Sequence, residues 1–441
     1  MHDIRRPSLL VMVLILLSQG QRVFSQDPIP SSLEIANPNP VGSGARALGQ
    51  GNTFIAIADD ATAATWNPGG LPQLQRPEIS LAGESISQWE RTNLNPTADD
   101  SLDLHTLNFA SLVLPFYYKT PIIFSLNYLR LFRFDRDLNL PFEVGADTAG
   151  SPPDFFGTYE FDQDGAFSVV APSFAVQVTS KLMVGITVNI WNDSITQSSA
   201  FEKTEQTVAF ENQPGSPEPI PLPPLLEFNR FEVDEGYSLV FGGIYRFSKA
   251  WTIGGVIKPA YRLNLDHEQS VSVIQNGQQN RLPDFDINTD ADLEFPWILG
   301  FGAAWRPTDP LTISSDITWT NWSEYRFQES GRDQNPIDAT SAKLTDTFTL
   351  RLGGEYLLLF DHIALLSRWG AGYDPAPAIG DSDDFYTVNV GAGVQIHNRV
   401  SFDLAYEFRW GDRVNGDALR GFSTSQDVRR HRILASMICY F

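Results

Sequence analysis

The feature that most constrains this chain is the alternation of residues 432–441, which read R-I-L-A-S-M-I-C-Y-F. One face of this segment is wholly apolar, and the opposite face is mixed. A two-residue period of this kind is typical of a strand whose two faces meet different environments. The apolar face consists of Ile433, Ala435, Met437, Cys439 and Phe441. The mixed face consists of Arg432, Leu434, Ser436, Ile438 and Tyr440.

The same pattern recurs from Glu78 onward, where we count fourteen candidate strands. A soluble β-sandwich would alternate in the same way, so periodicity alone leaves two fold classes open. An even number of antiparallel strands can close into a barrel without an unpaired edge, as a sheet inside hydrocarbon requires. The candidates are 78–90, 104–116, 121–134, 165–178, 182–196, 231–247, 250–266, 291–306, 310–327, 345–359, 362–373, 384–396, 399–412 and 428–441.

The N-terminal residues favour the membrane class. Arg5 and Arg6 precede the apolar run Leu9–Leu17, which is followed by small and polar residues. This order predicts a secretory signal peptide over residues 1–25, cleaved after Ser25 or after Gly20. The arginine pair could also belong to a twin-arginine signal, but the residues around it favour the basic segment of an ordinary signal peptide. Together with the even strand count and the terminal Phe, this predicts an all-β fold: a transmembrane antiparallel β-barrel over residues 78–441.

Composition excludes some functions. The net charge of −22 argues against a nucleic-acid partner, because phosphate binding needs clusters of Lys and Arg. No apolar run of about 18 residues follows the signal segment, so we expect no transmembrane helix. The single cysteine, Cys439, can form no internal disulfide, and its position suits a small lipid-facing residue.

Residues 26–77 differ from the rest of the chain and are rich in Gly, Ala, Asn and Pro. A carboxylate of Asp59 or Asp60 is placed to cap a short helix over Ala61–Trp66, because it can accept the N–H groups of a first turn. Asn67 would end that helix, since the residue before a proline avoids the helical region. We therefore expect a compact, partly helical hatch that plugs the barrel lumen.

Turn lengths are expected to distinguish the two ends of the barrel. Short turns are predicted at 247–251, 306–310 and 397–399, and long polar loops at 212–226, 264–290 and 327–346. In an outer-membrane barrel the short turns face the periplasm and the long loops face outside.

Several motifs resemble the FadL/TodX family of outer-membrane transporters for hydrophobic compounds. They are G-A-R-A-L-G from Gly44, A-D-D-A from Ala58, W-N-P-G from Trp66, E-F-P-W-I-L-G-F-G from Glu294, D-I-T-W-T-N-W-S-E-Y from Asp316 and T-L-R-L-G-G-E-Y from Thr349. The family usually has alanine after Asn-Pro, whereas Gly69 stands here.

The resemblance implies a 14-stranded barrel in the bacterial outer membrane that passes long-chain fatty acids or aromatic hydrocarbons by passive diffusion. Its implied partners are the substrate, outer-membrane lipid, lipopolysaccharide and, during biogenesis, the barrel-insertion machinery. The hatch residues that we single out are Asp59, Asp60, Trp66, Asn67, Pro68 and Gly69. The alternative is a FadL-like barrel that serves as an anchor or shuttle in protein secretion or surface assembly.

The family opens a lateral route to the membrane through a kink in the third strand. The third candidate strand here contains no glycine, but Pro172 falls in the middle of the fourth. Proline cannot donate to a ladder and is normally confined to edges or bulges. We therefore hypothesise a lateral gap between the third and fourth strands at Pro172, the alternative being that it only faces a bulge.

We find no catalytic or metal-binding set in the sequence, and expect neither enzyme activity nor a cofactor. The histidines are scattered and have no zinc spacing. The acidic clusters 162–164 and 381–384 suit solvated loops better than calcium sites. The two-residue period of the strands places five charged residues on the face that points into the lumen. They could form a structural network or a site for a substrate carboxylate. They are Arg351, Glu355, Asp403, Glu407 and Arg409.

Overall fold

The computed structural model describes residues 43–92, 100–144, 155–196, 198–210, 220–283, 286–329, 332–334, 343–378, 380–397, 399–415 and 425–441. The predicted signal peptide, and residues 26–42 of the predicted hatch, lie outside this part of the chain.

Twenty-two strand segments form one antiparallel sheet. They are β1 Glu78–Thr92, β2 Asp100–Tyr118, β3 Thr120–Arg133, β4 Arg136–Val144, β5 Phe155–Gln177, β6 Leu182–Trp191, β7 Ser199–Phe210, β8 Ile220–Pro221, β9 Leu225–Arg246, β10 Trp251–Lys258, β11 Tyr261–Gln275, β12 Gln278–Arg281, β13 Ile287–Phe295, β14 Ile298–Thr308, β15 Leu311–Thr320, β16 Arg326–Glu329, β17 Arg332–Gln334, β18 Thr347–Leu359, β19 Ile363–Tyr373, β20 Tyr386–Ile396, β21 Val400–Asn415 and β22 Ser425–Tyr440.

The sheet closes on itself, because β1 pairs with β2 on one side and with β22 on the other. The segments make a closed barrel of 14 strands, as the sequence predicts. Five of these strands are interrupted and consist of two segments each: β3 with β4, β6 with β7, β10 with β11, β13 with β14, and β15 with β16. The short segments β8, β12 and β17 pair only within hairpins beyond the barrel wall.

Several predicted boundaries are wrong. The predicted loop 264–290 is largely strand, since β11 continues to Gln275 and pairs with β12 and β13. The candidate 182–196 ends earlier, at Trp191, and a helical turn over Asp193–Thr196 follows. The continuation of β11 has polar and apolar residues on both faces, such as Val271 and Ile274, so it lacks the clean alternation on which the prediction depended.

The predicted short turns at 247–251, 306–310 and 397–399 all connect antiparallel neighbours. They lie at one end of the barrel, the short-turn end, and the opposite end is the long-loop end. Side chains alternate as expected: Ile433 is 47 % exposed on the outer face, and Leu434 is buried in the lumen. Among the described residues, no helix is long and apolar enough to cross a membrane.

The few helical segments are short. Two lie in the hatch, α1 Ala45–Gly49 and α2 Ala63–Trp66, followed by a 3-10 helix at Pro68–Gln73. The helix α3 Asp193–Thr196 separates β6 from β7, and a second 3-10 helix, Trp322–Glu324, separates β15 from β16. The described hatch residues precede β1 directly, and the hatch contacts several strands from inside the barrel.

Candidate functional site

The acidic pair in the hatch fixes its local fold. One carboxylate oxygen of Asp60 accepts a hydrogen bond from the Thr62 backbone N–H, at 2.9 Å, just before α2. Asp59 instead accepts a hydrogen bond from Arg46 Nη1 at 2.6 Å. The helix α2 begins at Ala63, with Thr62 as its N-cap and no side-chain capping bond, so the predicted capping role is wrong for both aspartates. Asp60 fixes the turn before the helix, and Asp59 belongs to an ion-pair network.

The W-N-P-G motif forms hydrogen bonds within the hatch and between the hatch and the barrel wall. Trp66 Nε1 donates to the Ser43 carbonyl at 2.9 Å. Asn67 leaves the helical region, and its Nδ2 donates to the Ile55 carbonyl at 2.7 Å and to the Gly243 carbonyl of β9 at 3.1 Å. Pro68 starts the 3-10 helix, where its missing N–H costs nothing.

Gly69 is required by close contact with the wall. A Cβ at this position would lie 2.7 Å from the Cα of Gly243 in β9. This explains why the alanine that the family usually carries is absent here. The residue opposite, Gly243, belongs to the strand against which the 3-10 helix packs.

Further glycines of the wall form a belt on which the hatch backbone rests. A Cβ on Gly353 would lie 2.0 Å from the Gln50 carbonyl oxygen, and a Cβ on Gly185 would lie 2.3 Å from the Pro68 carbonyl oxygen. Such approaches are possible only where the wall residue has no side chain. The belt consists of Gly185, Gly242, Gly254, Gly302, Gly353, Gly370 and Gly391.

An ion-pair network, which we call the latch, joins the hatch to one side of the barrel. Arg46 bonds to Glu355 of β18 at 2.9 Å, and Arg368 of β19 bonds to the same carboxylate at 2.7 Å and to Asp403 of β21 at 2.6 Å. Burial opposes the charge of Arg46, but its acidic neighbours Asp59 and Glu355 raise its pKa well above the ordinary value. The predicted lumen residues Glu355 and Asp403 are thus structural anchors of the hatch.

The other predicted lumen charges also have protein partners. Arg351 bonds to Asp374 at 3.0 Å, and Arg409 stacks over the ring of Phe385. The carboxylate of Glu407 accepts a hydrogen bond from Asn389 at 3.0 Å. All five predicted residues are buried in the lumen, as expected. Their arrangement favours the structural network over a substrate site.

Two polar side chains that were not predicted from the sequence hold the hatch to further parts of the wall. Asp316 of β15 accepts hydrogen bonds from the backbone N–H groups of Phe54 and Ile55, at 2.8 and 3.0 Å. At another part of the wall, the hydroxyl of Thr187 in β6 donates to the Ala64 carbonyl at 2.7 Å.

Between the hatch and the long-loop end lies an aromatic cluster, formed by five inward-facing rings. The ring of Phe295 lies near its centre, with centroids 4.7 Å from Phe132, 4.8 Å from Tyr261 and 5.4 Å from Tyr325. Trp191 completes the cluster through stacking contacts with Phe132 and Tyr261. Aromatic pairs at these separations are favourable beyond their burial.

Each ring of the cluster lies beside one of the five strand interruptions. Trp191 ends β6, Phe295 ends β13, Tyr261 begins β11, and Tyr325 immediately precedes β16. Phe132 lies two residues before the gap between β3 and β4. Pro259 and Pro296 occupy two of the gaps, where the missing N–H breaks the ladder. The interruptions thus concentrate aromatic surface inside the lumen at one level.

A small cavity of about 40 Å³ adjoins the cluster. This volume holds a few waters at most, whereas a dry cavity that binds benzene measures about 150 Å³. A substrate therefore requires movement of the surrounding side chains or of the hatch. The lining residues are Thr65, Leu129, Leu131, Phe132, Asn189, Ser238, Leu239, Val240, Lys258, Tyr261 and Ile298.

The barrel wall is incompletely paired next to this cavity. In the described chain, the ladder between β2 and β3 ends at the pair Phe109↔Leu129. At this level Asn108 is an extra residue in the pairing of β2 with β1, and Leu131 is an extra residue in the pairing of β3 with β5. Toward the long-loop end, β2 and β3 face each other without ladder hydrogen bonds, and Leu131 lines the cavity.

The gap predicted at Pro172 is wrong. The ladder between the third and fourth barrel strands runs through the pair Leu126↔Pro172 without a break. On the other side, pairing of β5 with β6 passes from Val170↔Ile190 to Ser173↔Thr187 and omits the two residues between. The missing N–H of Pro172 therefore faces β6, and the register beyond it is unchanged.

No group of three or more potential metal ligands lies together in the described ranges. The hatch, the aromatic cluster and the unpaired edges of β2 and β3 bound one region of the lumen, and the small cavity lies in it.

Comparison with known proteins places this geometry in context. A family model described as "Outer membrane protein transport protein (OMPP1/FadL/TodX)" matches residues 23–427. No curated protein sequence matches the chain.

Solved structures share the fold at low sequence identity. A Pseudomonas aeruginosa FadL homologue is 16% identical with a TM-score of 0.62, over 90% of this chain and 98% of that one. The Ralstonia pickettii toluene transporter TbuX is 16% identical with a TM-score of 0.57, over 91% and 100% of the two chains. The P. putida toluene transporter TodX is 14% identical with a TM-score of 0.60, over 91% and 99%.

Proposed function

Because the chain belongs to the OMPP1/FadL/TodX family of outer membrane transport proteins, we propose that it admits small hydrophobic molecules by passive diffusion and releases them sideways into the membrane. The observation that carries this proposal is the position of the aromatic cluster beside the cavity and the unpaired edges of β2 and β3.

The substrate class follows from the lining of the cluster. Leu129, Leu131 and Phe132 offer apolar surface, and transfer of an apolar solute onto such surface is favourable by roughly 25 cal/mol per Å². Flat rings suit the stacked geometry of Phe132 and Phe295. The named neighbours TbuX and TodX are toluene transporters, which fits an aromatic hydrocarbon as the first substrate to test. Long-chain fatty acids form the second class.

The lateral route follows from the latch, the belt and the unpaired edge together. The hatch blocks a straight path, since its backbone rests on the glycine belt and is hydrogen-bonded to wall side chains of β15 and β6. Transfer of an apolar solute into the aqueous periplasm is also unfavourable. The unpaired edges of β2 and β3 offer a shorter path into lipid, and they replace Pro172 as the proposed lateral gate.

We propose that the barrel also contacts outer-membrane lipid, lipopolysaccharide and, during biogenesis, the insertion machinery. A continuous apolar outer face, with Leu112, Leu126 and Leu350 exposed, supports contact with outer-membrane lipid. Lipopolysaccharide would contact the same face near the long-loop end. The final strand β22, which closes the barrel against β1, is the proposed contact for the insertion machinery.

Uptake by a deletion strain tests the proposal. Loss of growth on toluene or on a long-chain fatty acid, restored by the wild-type gene, supports transport. The purified barrel in liposomes should also speed equilibration of a radiolabelled hydrocarbon across the membrane. No uptake defect, together with copurification of secretion components, would instead favour the anchor or shuttle role.

A further inference from the structure

One polar group faces the cavity beside the aromatic cluster without a partner. Asn189 of β6 lines the cavity and is 6% exposed. Its Nδ2 donates to Ser238 Oγ at 2.9 Å, and its Oδ1 has no hydrogen-bond partner. Buried amide oxygens are almost always satisfied, because an unpaired one costs about 1–3 kcal/mol. The Oδ1 atom is therefore poised for a donor that enters the cavity.

The surroundings of Asn189 hold it in place. Ser238 Oγ also accepts a hydrogen bond from Trp191 Nε1 at 3.3 Å, so the amide, the hydroxyl and a ring of the aromatic cluster form one connected unit. Lys258 lines the same cavity, as does Thr65 of the hatch. One end of the cavity is thus polar, and the other end, with Leu129, Leu131 and Phe132, is apolar.

We propose that this polar end selects hydroxylated aromatic molecules, of the phenol class, over the corresponding hydrocarbons. A phenolic hydroxyl donates to Asn189 Oδ1, and its oxygen accepts from Lys258. The ring then lies against Phe132 and Tyr261. This inference rests on the proposed transport function and specifies the substrate class within it.

A hydroxyl can satisfy both polar groups of this site, whereas a carboxylate can pair only with Lys258. A carboxylate has no hydrogen to offer the Asn189 oxygen, and two acceptor oxygens facing each other are unfavourable. A hydrocarbon leaves Oδ1 unpaired and expels any water that satisfies it. A hydroxyl both donates and accepts, so it matches both polar groups of the cavity.

The test compares three probes that differ in one substituent: toluene, p-cresol and p-toluate. Uptake is measured in liposomes containing the full barrel, and binding by quenching of tryptophan fluorescence. In Asn189→Leu, which has similar volume, we expect p-cresol uptake and affinity to fall about tenfold and toluene uptake to stay unchanged. Asn389→Leu is the matched control, since Asn389 is equally buried in the lumen but does not line the cavity.

The outcomes separate the alternatives. An equal fall in p-cresol and toluene uptake would show that Asn189 acts only through the fold and would overturn the inference. Preferred uptake of p-toluate by the wild type would assign an anionic head and overturn it as well. If the Leu variant fails to insert, Asn189→Ser gives the same comparison. Failure of the wild type to move any probe would contradict the proposed transport function itself.

Discussion

Arg133 Nη1 bonds to Glu84 Oε1 at 3.0 Å, and this ion pair crosses over β2 at the level where β2 and β3 stop pairing. Glu84 lies in β1 and also bonds to Arg432 of β22. Side chains thus hold the wall together where backbone hydrogen bonds do not. Because side-chain ion pairs can break without unfolding the sheet, this part of the wall is suited to open and close.

We predict that Arg133→Met increases uptake of small hydrocarbons. The substitution keeps the apolar stem but removes the pair with Glu84, and hydrogen bonds to charged groups contribute about 1.5–3 kcal/mol. A change of that size in the free-energy difference between the closed and open wall raises the population of the open form about tenfold or more. Liposome equilibration rates measure it. Arg230→Met, which removes a pair far more exposed to solvent, should leave the rate unchanged. A slower rate in Arg133→Met would contradict a closing role.

Phe295→Ala should reduce uptake, because Phe295 touches three other rings of the aromatic cluster. Removal of a buried phenyl ring costs about 3–5 kcal/mol of packing and opens the cluster to water. We expect saturable hydrocarbon uptake to fall about tenfold, with the barrel still resistant to unfolding by detergent. Phe301→Ala on the lipid-facing surface is the control, and equal losses in both variants would count against the cluster.

Glu355→Ala should loosen the hatch. Both Arg46 and Arg368 bond to this carboxylate, and removing one partner of a buried pair is destabilising by about 3–5 kcal/mol. Hydrogen exchange of residues 45–60 should become faster, and that of β1 and β22 should not change. Glu294→Ala, whose partner Arg262 is exposed, is the control. Unchanged protection of the hatch would show that the latch contributes little.

Hatch stability should depend on pH through Asp60. Burial raises the pKa of this carboxyl above its ordinary value, and Arg46 opposes the shift. A raised pKa in the docked hatch means that docking is strongest below the ordinary carboxyl pKa and weakens as pH rises through the docked value. The protection of residues 60–66, after correction for intrinsic exchange, which itself slows in acid, should therefore be higher at mildly acidic pH. In Asp60→Asn this dependence should disappear, and its persistence would assign the effect to another group.

The barrel could be predicted from sequence because each strand repeats the same local signal. The alternation of residues 399–412 reappears as an outer face of Phe402 and Leu404 and an inner face of Asp403 and Glu407. The short turn at His397 could also be predicted, because it depends on residues that are adjacent in the chain. The hatch could be located because its composition differs from that of any strand.

The aromatic cluster could not be predicted, because its rings come from five strands far apart in the chain. The bulge at Leu131 could not be predicted either: it is visible in the structure, where the buried side chains change parity from Leu129 to Phe132 and Phe134. From the sequence we expected a break to need glycine or proline and therefore placed the gate at Pro172. A bulge needs an extra residue rather than glycine, so that criterion was too narrow.

The most direct test of the account is to cross-link β2 and β3 where they are unpaired. Cysteines at Leu107 and Leu131, joined by a short thiol-specific linker in a Cys439→Ser background, should stop hydrocarbon uptake until the linker is cleaved. The same linker between Leu112 and Leu126, which are already paired in the ladder, should have no effect. Full uptake with the first linker in place would contradict lateral release between β2 and β3.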